Sequence, residues 1–257
     1  MFQNRAASLP GSISISSIGT PPDCEPETID WRCMDFEALW LTLRLAAGTT
    51  AILLVAGLPL AWWIASGRGA GRAVVQALVA LPLVLPPTVV GFYLLVMLGP
   101  LTAPGRLLIR LFGHSLAFSF SGLLVGSVIY SLPFAVQPLV AGFGSVDRGY
   151  TEAAAGLGAS PWRTFRTVVM PLTRGSLLTS AVLAFTHTVG EFGVVLMLGG
   201  NIPGATQTLS ISLYDQVQDF NYAAANRTAL ALVIISLAAL IVIYSRRGSG
   251  LGRGELV

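Results

Sequence analysis

Glu152-Ala153-Ala154-Ala155-Gly156-Leu157-Gly158-Ala159-Ser160-Pro161-Trp162-Arg163-Thr164-Phe165-Arg166-Thr167-Val168-Val169-Met170-Pro171 is a polar island in a chain otherwise written for lipid. Its first third favours helix, and Gly158 supplies a tight or left-handed turn. Ser160 then makes a good N-cap, with Pro161 at the first helical position. Beyond it Trp162, Phe165 and Val169 share one helical face, and Arg163, Arg166 and Thr167 the other. Pro171 closes the element. A helix of this kind either lies flat on a membrane surface or meets another protein in water. Spacing alone leaves both open.

The composition around the insert sets the class. Of 257 residues, 54% are hydrophobic and 11% charged, with a mean hydropathy of +0.74. Soluble domains carry about 25% charged residues, so this chain cannot cover a globular surface with polar groups. All 15 basic residues are arginine. Without lysine there is neither a phosphate-loop lysine nor Schiff-base chemistry. Cys24, Cys33, His114 and His187 are too scattered for metal-ligand spacing, and no Gly-x-Ser-x-Gly elbow occurs. No catalytic residue, metal site or cofactor is therefore assigned to this chain. The net charge of +3 gives no reason to invoke nucleic acid.

Working outward, five segments reach the roughly 17–25 apolar residues a membrane helix needs: 39–65, 74–98, 116–143, 176–198 and 228–244. The expected fold is an all-α, polytopic transmembrane bundle of about five spans. The second segment carries Pro82, Pro86 and Pro87, and the third Pro133 and Pro138. Proline kinks a helix and frees carbonyls that lipid cannot satisfy. Both segments are therefore expected to face the bundle interior, either as simple packing kinks or along a pathway. Arginines fall at 68 and 72 in the first connection, at 148, 163, 166 and 174 in the third, and at 246, 247 and 253 after the last span. Short basic loops stay in the cytoplasm, so the N-terminus is expected outside and the C-terminus inside, despite Arg106 and Arg110 on the outer side.

Three regions follow: a polar tail at 1–35, a transmembrane domain at 36–247 with the insert at 147–171, and a cytoplasmic tail at 248–257. The first tail lacks the apolar core of a signal peptide. Either translation begins at Met34, or the tail is disordered and outside, where Cys24 and Cys33 could pair in an oxidising compartment.

Glu152-Ala153-Ala154-x-x-x-Gly158, followed after nine residues by Val168-x-Met170-Pro171, resembles the EAA signature of permease subunits of bacterial ABC importers. The usual isoleucine and leucine are replaced by Val168 and Met170. The resemblance implies that the insert is a coupling helix seated in a cleft of a cytoplasmic ATPase, with Glu152, Ala153, Ala154, Gly158, Val168, Met170 and Pro171 as the coupling residues. It also implies a homodimer in the bacterial inner membrane, two ABC ATPase subunits that use ATP-Mg, and an extracytoplasmic binding protein.

Leu81-Pro82-Leu83-Val84-Leu85-Pro86-Pro87-Thr88, Gly190-Glu191-Phe192-Gly193 and Asn201-Ile202-Pro203-Gly204-x-Thr206-Gln207-Thr208 are similar to segments of molybdate permeases. That resemblance runs from about residue 35 to 247. It implies import of molybdate or tungstate, with a sulfate-type permease as the alternative within the family. Pro82, Pro86, Pro87, Thr88 and Glu191 are candidates for the path or gate. Asn201, Pro203, Gly204, Thr206 and Gln207 are candidates for docking the binding protein.

Glu191 sits deep in an apolar segment, where a charge costs at least ~2.5 kcal/mol and is usually paired or functional. It is read either as an anchor for backbone freed between Gly190 and Gly193 or as a group on the path. The anchor is favoured, because a carboxylate repels an oxyanion. With His187 it also supports a rival from another class, a proton-coupled secondary anion carrier. Such carriers often show inverted repeats, and none is visible. Arg44 either snorkels to the headgroups or attracts anions at the outer mouth. The stretch 201–204 reads as a turn, and 209–218 as an amphipathic helix resting on the outer surface.

Overall fold

The computed structural model describes residues 35–67 and 69–248. The expectations for Met34, for a Cys24–Cys33 pair, for Arg68 and for the tail from 249, Arg253 included, lie outside these residues, as do the side chains of Arg246 and Arg247.

Helix is the only regular structure among the described residues. α1 (Phe36–Ala65) opens where the Asp35 carboxylate accepts the Ala38 N–H at 2.9 Å. Its 30 residues span about 45 Å at 1.5 Å per residue, more than the ~30 Å hydrocarbon core. Two further helices are long and apolar enough to cross alone: α5 (Phe120–Gly144), capped by Ser119, and α12 (Tyr222–Gly248), started by Asn221.

The second expected span is broken. α2 (Ala70–Val84) and α3 (Pro87–Leu98) meet at 111°. Leu85 and Pro86 each precede a proline, which disfavours helical backbone, and both are extended, with ψ of 137° and 139°. Pro82, Pro133 and Pro138 stay inside continuous helices. After α3, a short amphipathic helix not foreseen in the sequence, α4 (Ala103–Phe112), carries Arg106 and Arg110 and ends at Gly113, φ 78°.

After α5, the insert forms α6 (Arg148–Gly156), α7 (Pro161–Thr164), one π turn (Phe165–Val169) and α8 (Met170–Leu172). The fourth expected span is likewise in two pieces, α9 (Arg174–Val189) and α10 (Gly193–Gly199), followed by α11 (Leu209–Gln218). The 16 residues of α9 reach only about 24 Å.

α1, α5 and α9 form the centre of the bundle. α1 and α5 run in the same direction: Leu41 and Leu45 pack with Leu123 at one end, and Ala61 and Ile64 with Leu139 and Phe143 at the other. α9 runs against α5. Ser131 hydrogen-bonds with Thr188 at 2.9 Å, and the Ser180 hydroxyl donates to the Ala135 carbonyl at 2.6 Å. Burial of α5 fits the expectation for a proline-bearing helix, but α2 does not. Only Val79 and Pro82 of α2 are buried, because one narrow edge of it meets the bundle.

Candidate functional site

The insert sits at one end of the bundle on an aromatic wedge. Phe165, buried, has its ring centroid 5.2 Å from that of Trp62 on α1 and 5.7 Å from that of Phe143 on α5. Trp62 and Phe143 meet edge-on at 5.8 Å, a favourable aromatic geometry. Val169 is also fully buried, as its place on the apolar face requires. Trp162 departs from that face. It lies 66% exposed, stacked on the outer side of Phe165, with Arg166 above its ring. Pro171 has no N–H to return to Thr167, and the turn widens so that the Met170 N–H reaches the Phe165 carbonyl. Such π turns recur at functional sites.

α6 buries none of its residues. Glu152, Ala153 and Gly158 are exposed, and so are Tyr150 and Leu157, two apolar side chains at the tip. Gly158 adopts φ 76°, the left-handed region that suits glycine. The Ser160 hydroxyl accepts the Arg163 N–H at 3.3 Å, making the expected N-cap. Val168 and Met170 are half-buried against the bundle, and Pro171 is exposed. One end of the insert is therefore wedged into the spans, while α6 packs on α7 and the π turn and buries none of its own residues.

The two broken spans touch at their breaks. A Cβ on Gly193 would lie 2.7 Å from the Pro87 Cβ. Glu191, 5% exposed, fills the gap between α9 and α10: its Oε1 accepts the Val194 N–H at 2.9 Å and its Oε2 the Val195 N–H at 3.1 Å. A carboxylate at a helix N-terminus satisfies orphan donors and complements the helix dipole. His187 bonds elsewhere, to Ser131 at 2.9 Å, and stacks on Phe134. No hydrogen bond or ion pair joins Glu191 to His187 among the described residues. Of the other path candidates, Pro82 is buried, Pro87 is half-buried, and Pro86 and Thr88 are exposed beside the 111° bend.

The 200–208 loop lies at the opposite end from the insert, where the Leu209 N–H donates to Thr42 Oγ1 near the start of α1. Asp215 braces it, accepting from the side-chain amides of Asn201 and Gln207. The Ile202 carbonyl accepts the N–H groups of Ala205, Thr206 and Gln207. Asn201, Pro203 and Gly204 are exposed, but Thr206 is not. Its hydroxyl donates inward to the Gly199 carbonyl at 2.7 Å, so Thr206 pins the loop and presents no side chain for docking. α11 does not merely rest on the surface, since Leu209, Ser210, Ile211 and Ser212 are buried. Arg44 is exposed on the rim, 4.9 Å from the Phe120 ring.

An exposed element thus stands at each end of the bundle, with two broken helices between. Residues 57–247 match the family described as binding-protein-dependent transport system inner membrane component. The chain belongs to that family. It is 51% identical over 213 residues to the molybdenum transport system permease protein ModB of Azotobacter vinelandii, covering 83% of this chain and 94% of that one. The ModB protein of Haemophilus influenzae is 33% identical over 229 residues, covering 87% and 99%. An inward-facing structure of the MetNI methionine ABC transporter has the same fold at TM-score 0.65 and 19% identity, covering 86% of this chain and 97% of that one.

As a transport component, this family member needs no catalytic constellation. Sequence reasoning found the insert and Glu191 but missed Trp62 and Phe143, which pair with Phe165 only after three distant segments meet. It also passed over Arg227, because the hydropathy window for the last span opens one residue later. A charge one turn inside a helix start was the available signal.

Proposed function

We propose that this chain is the membrane-spanning permease subunit of an ATP-driven molybdate importer, or one for the chemically similar tungstate. Two copies line one path, and each lays its 152–171 insert into a cytoplasmic ATPase subunit that binds ATP-Mg. A molybdate-binding protein delivers the anion at the 200–208 loops, where Asn201, Pro203, Gly204 and the Asp215-braced Gln207 present the surface. The insert end faces the cytoplasm, with the N-terminus outside and the C-terminus inside. The observation that carries this reading is the exposed α6, which buries none of its residues yet packs on the α7–π turn segment whose Phe165 ties it to α1 and α5. Displacement of α6 by a partner would be transmitted to both spans, and rigid-body tilting of packed helices is a common route to alternating access. The 51% identity to a molybdenum permease supports the substrate.

The path need hold the anion only weakly, since conduction requires release as well as entry. Substrate choice then rests mainly on the separate binding protein. Glu191 serves the gate as the brace of the α9–α10 break, beside Pro87 and the exposed Pro86 and Thr88. Reconstitution with the ATPase and binding protein in vesicles tests the reading. Molybdate uptake should require ATP and both partners, and sulfate should compete poorly. Uptake driven by a pH gradient without ATP would overturn it.

A further inference from the structure

Arg227 lies on the first turns of α12, in the sixth position from its start at Tyr222. It is 6% exposed, and its Nε is buried with no acceptor. Its guanidinium makes no hydrogen bond or ion pair among the described residues. Ala224, Ala225, Thr228 and Ala231 are buried with it, on the stretch of α12 that packs against α9 and α11. The polar groups nearby in the chain are already engaged with one another. Thr228 Oγ1 donates to Gln216 Oε1 at 2.8 Å, and Gln216 Nε2 donates to Ser212 Oγ at 3.2 Å. Asp215 is held by Asn201 and Gln207, and Asp219 is exposed.

An arginine keeps its charge in a protein, and burying a charge without a counter-ion is costly. Intramembrane arginines are rare and mark pathways or paired sites. The planar guanidinium fork fits a tetrahedral oxyanion through two parallel N–H donors. A standing carboxylate partner would neutralise it, but none stands beside it among the described residues.

We propose that Arg227 is an oxyanion-contact residue on the translocation route, and that the cargo becomes its transient counter-ion. It lies at the end of the bundle that bears the 200–208 loop, inward of the exposed Arg44 on the rim. A guanidinium with no fixed counter-ion attracts the anion yet lets it leave, as conduction demands. The proposal rests on the oxyanion-importer reading above. A lipid phosphate offers the same chemistry as the cargo, and the test separates the two.

Arg227→Lys, Arg227→Gln and Arg227→Met are reconstituted as the complete transporter in phosphatidylcholine vesicles. Uptake of molybdate, tungstate and sulfate is measured beside the ATPase rate stimulated by the loaded binding protein. The wild-type profile identifies the cargo, so an error in the molybdate assignment appears there and not in the variants. Expected is a loss of cargo uptake of about ten-fold or more in R227Q and R227M, the scale of a lost charge-assisted hydrogen bond. Assembly and stimulated ATPase should persist, and R227K should recover much of the uptake. R227Q or R227M transport equal to wild type overturns the proposal. So does a loss that follows assembly and ATPase in step, or an R227K no better than R227M; either would mean that Arg227 is structural or pairs with a partner subunit. If wild-type uptake instead depends on anionic phospholipid and R227Q abolishes that dependence, the headgroup is the ligand and the cargo assignment fails.

Discussion

Gly193 sits against Pro87, so close that a Cβ on the glycine would approach the proline Cβ to 2.7 Å. Through this contact the break in one span is pressed onto the break in another. α10, which begins at Gly193, packs along α3, which begins at Pro87, and Val194 and Leu198 join Val90, Leu94 and Leu98 in one core.

Gly193→Ala should therefore strain the junction. Overpacking costs about 1–3 kcal/mol, and a fluorescence-monitored thermal scan of the purified transporter should reveal a lowered Tm. Gly156→Ala, at a glycine with open space around it, should leave the Tm unchanged.

Glu191→Ala would leave the Val194 and Val195 N–H groups without their acceptor. Each unsatisfied buried donor costs about 1–3 kcal/mol. Glu191→Gln keeps an acceptor oxygen and should retain most of the stability and transport. Near-complete loss of uptake in E191Q at normal Tm would reject the anchor and revive a role in proton transfer.

Glu152→Arg and Gly158→Val address coupling. The first reverses a charge on the exposed α6, and the second forces a β-branched residue to φ 76°. Both variants should insert normally, yet lose uptake and ATPase stimulation together. Wild-type values of either in both variants would remove the insert from the coupling role.

Phe165→Ala removes the wedge between Trp62 and Phe143. Truncating a buried phenylalanine costs about 3–5 kcal/mol. Phe165→Leu should keep the fold while loosening the link. In F165L, co-purification with the ATPase should persist while uptake per ATP hydrolysed falls. Unchanged stoichiometry would mean that force passes from insert to spans by another route.

Asp215→Ala should release Asn201 and Gln207 and disorder the exposed side of the 200–208 loop. The expected result is weaker affinity for the loaded binding protein, read by titration, with unaltered basal ATPase activity.

Membrane insertion, the approximate span positions and the insert were legible in the chain because each depends on local properties. Apolar runs record solvent preference, and Ser160, Pro161 and Gly158 act on backbone within a few residues. The Leu85–Pro86 bend was half legible. Prolines announced a disturbance, but a 111° turn needed α10 to pack against α3. α4 escaped notice because its ten residues are too short to register as a span.

The sequence by itself determined that this chain lives in lipid, lacks the lysine of a phosphate loop and carries an insert of two short helices around a glycine turn. Only the tertiary structure decided what that insert grips, that Glu191 is consumed by the start of α10, and that Arg227 is buried with no counter-ion among the described residues. The physical reason is range. Hydropathy, capping and turn preference act between residues near in sequence, whereas wedges, braces and unpaired charges exist only when α1, α5, α9 and α12 have packed.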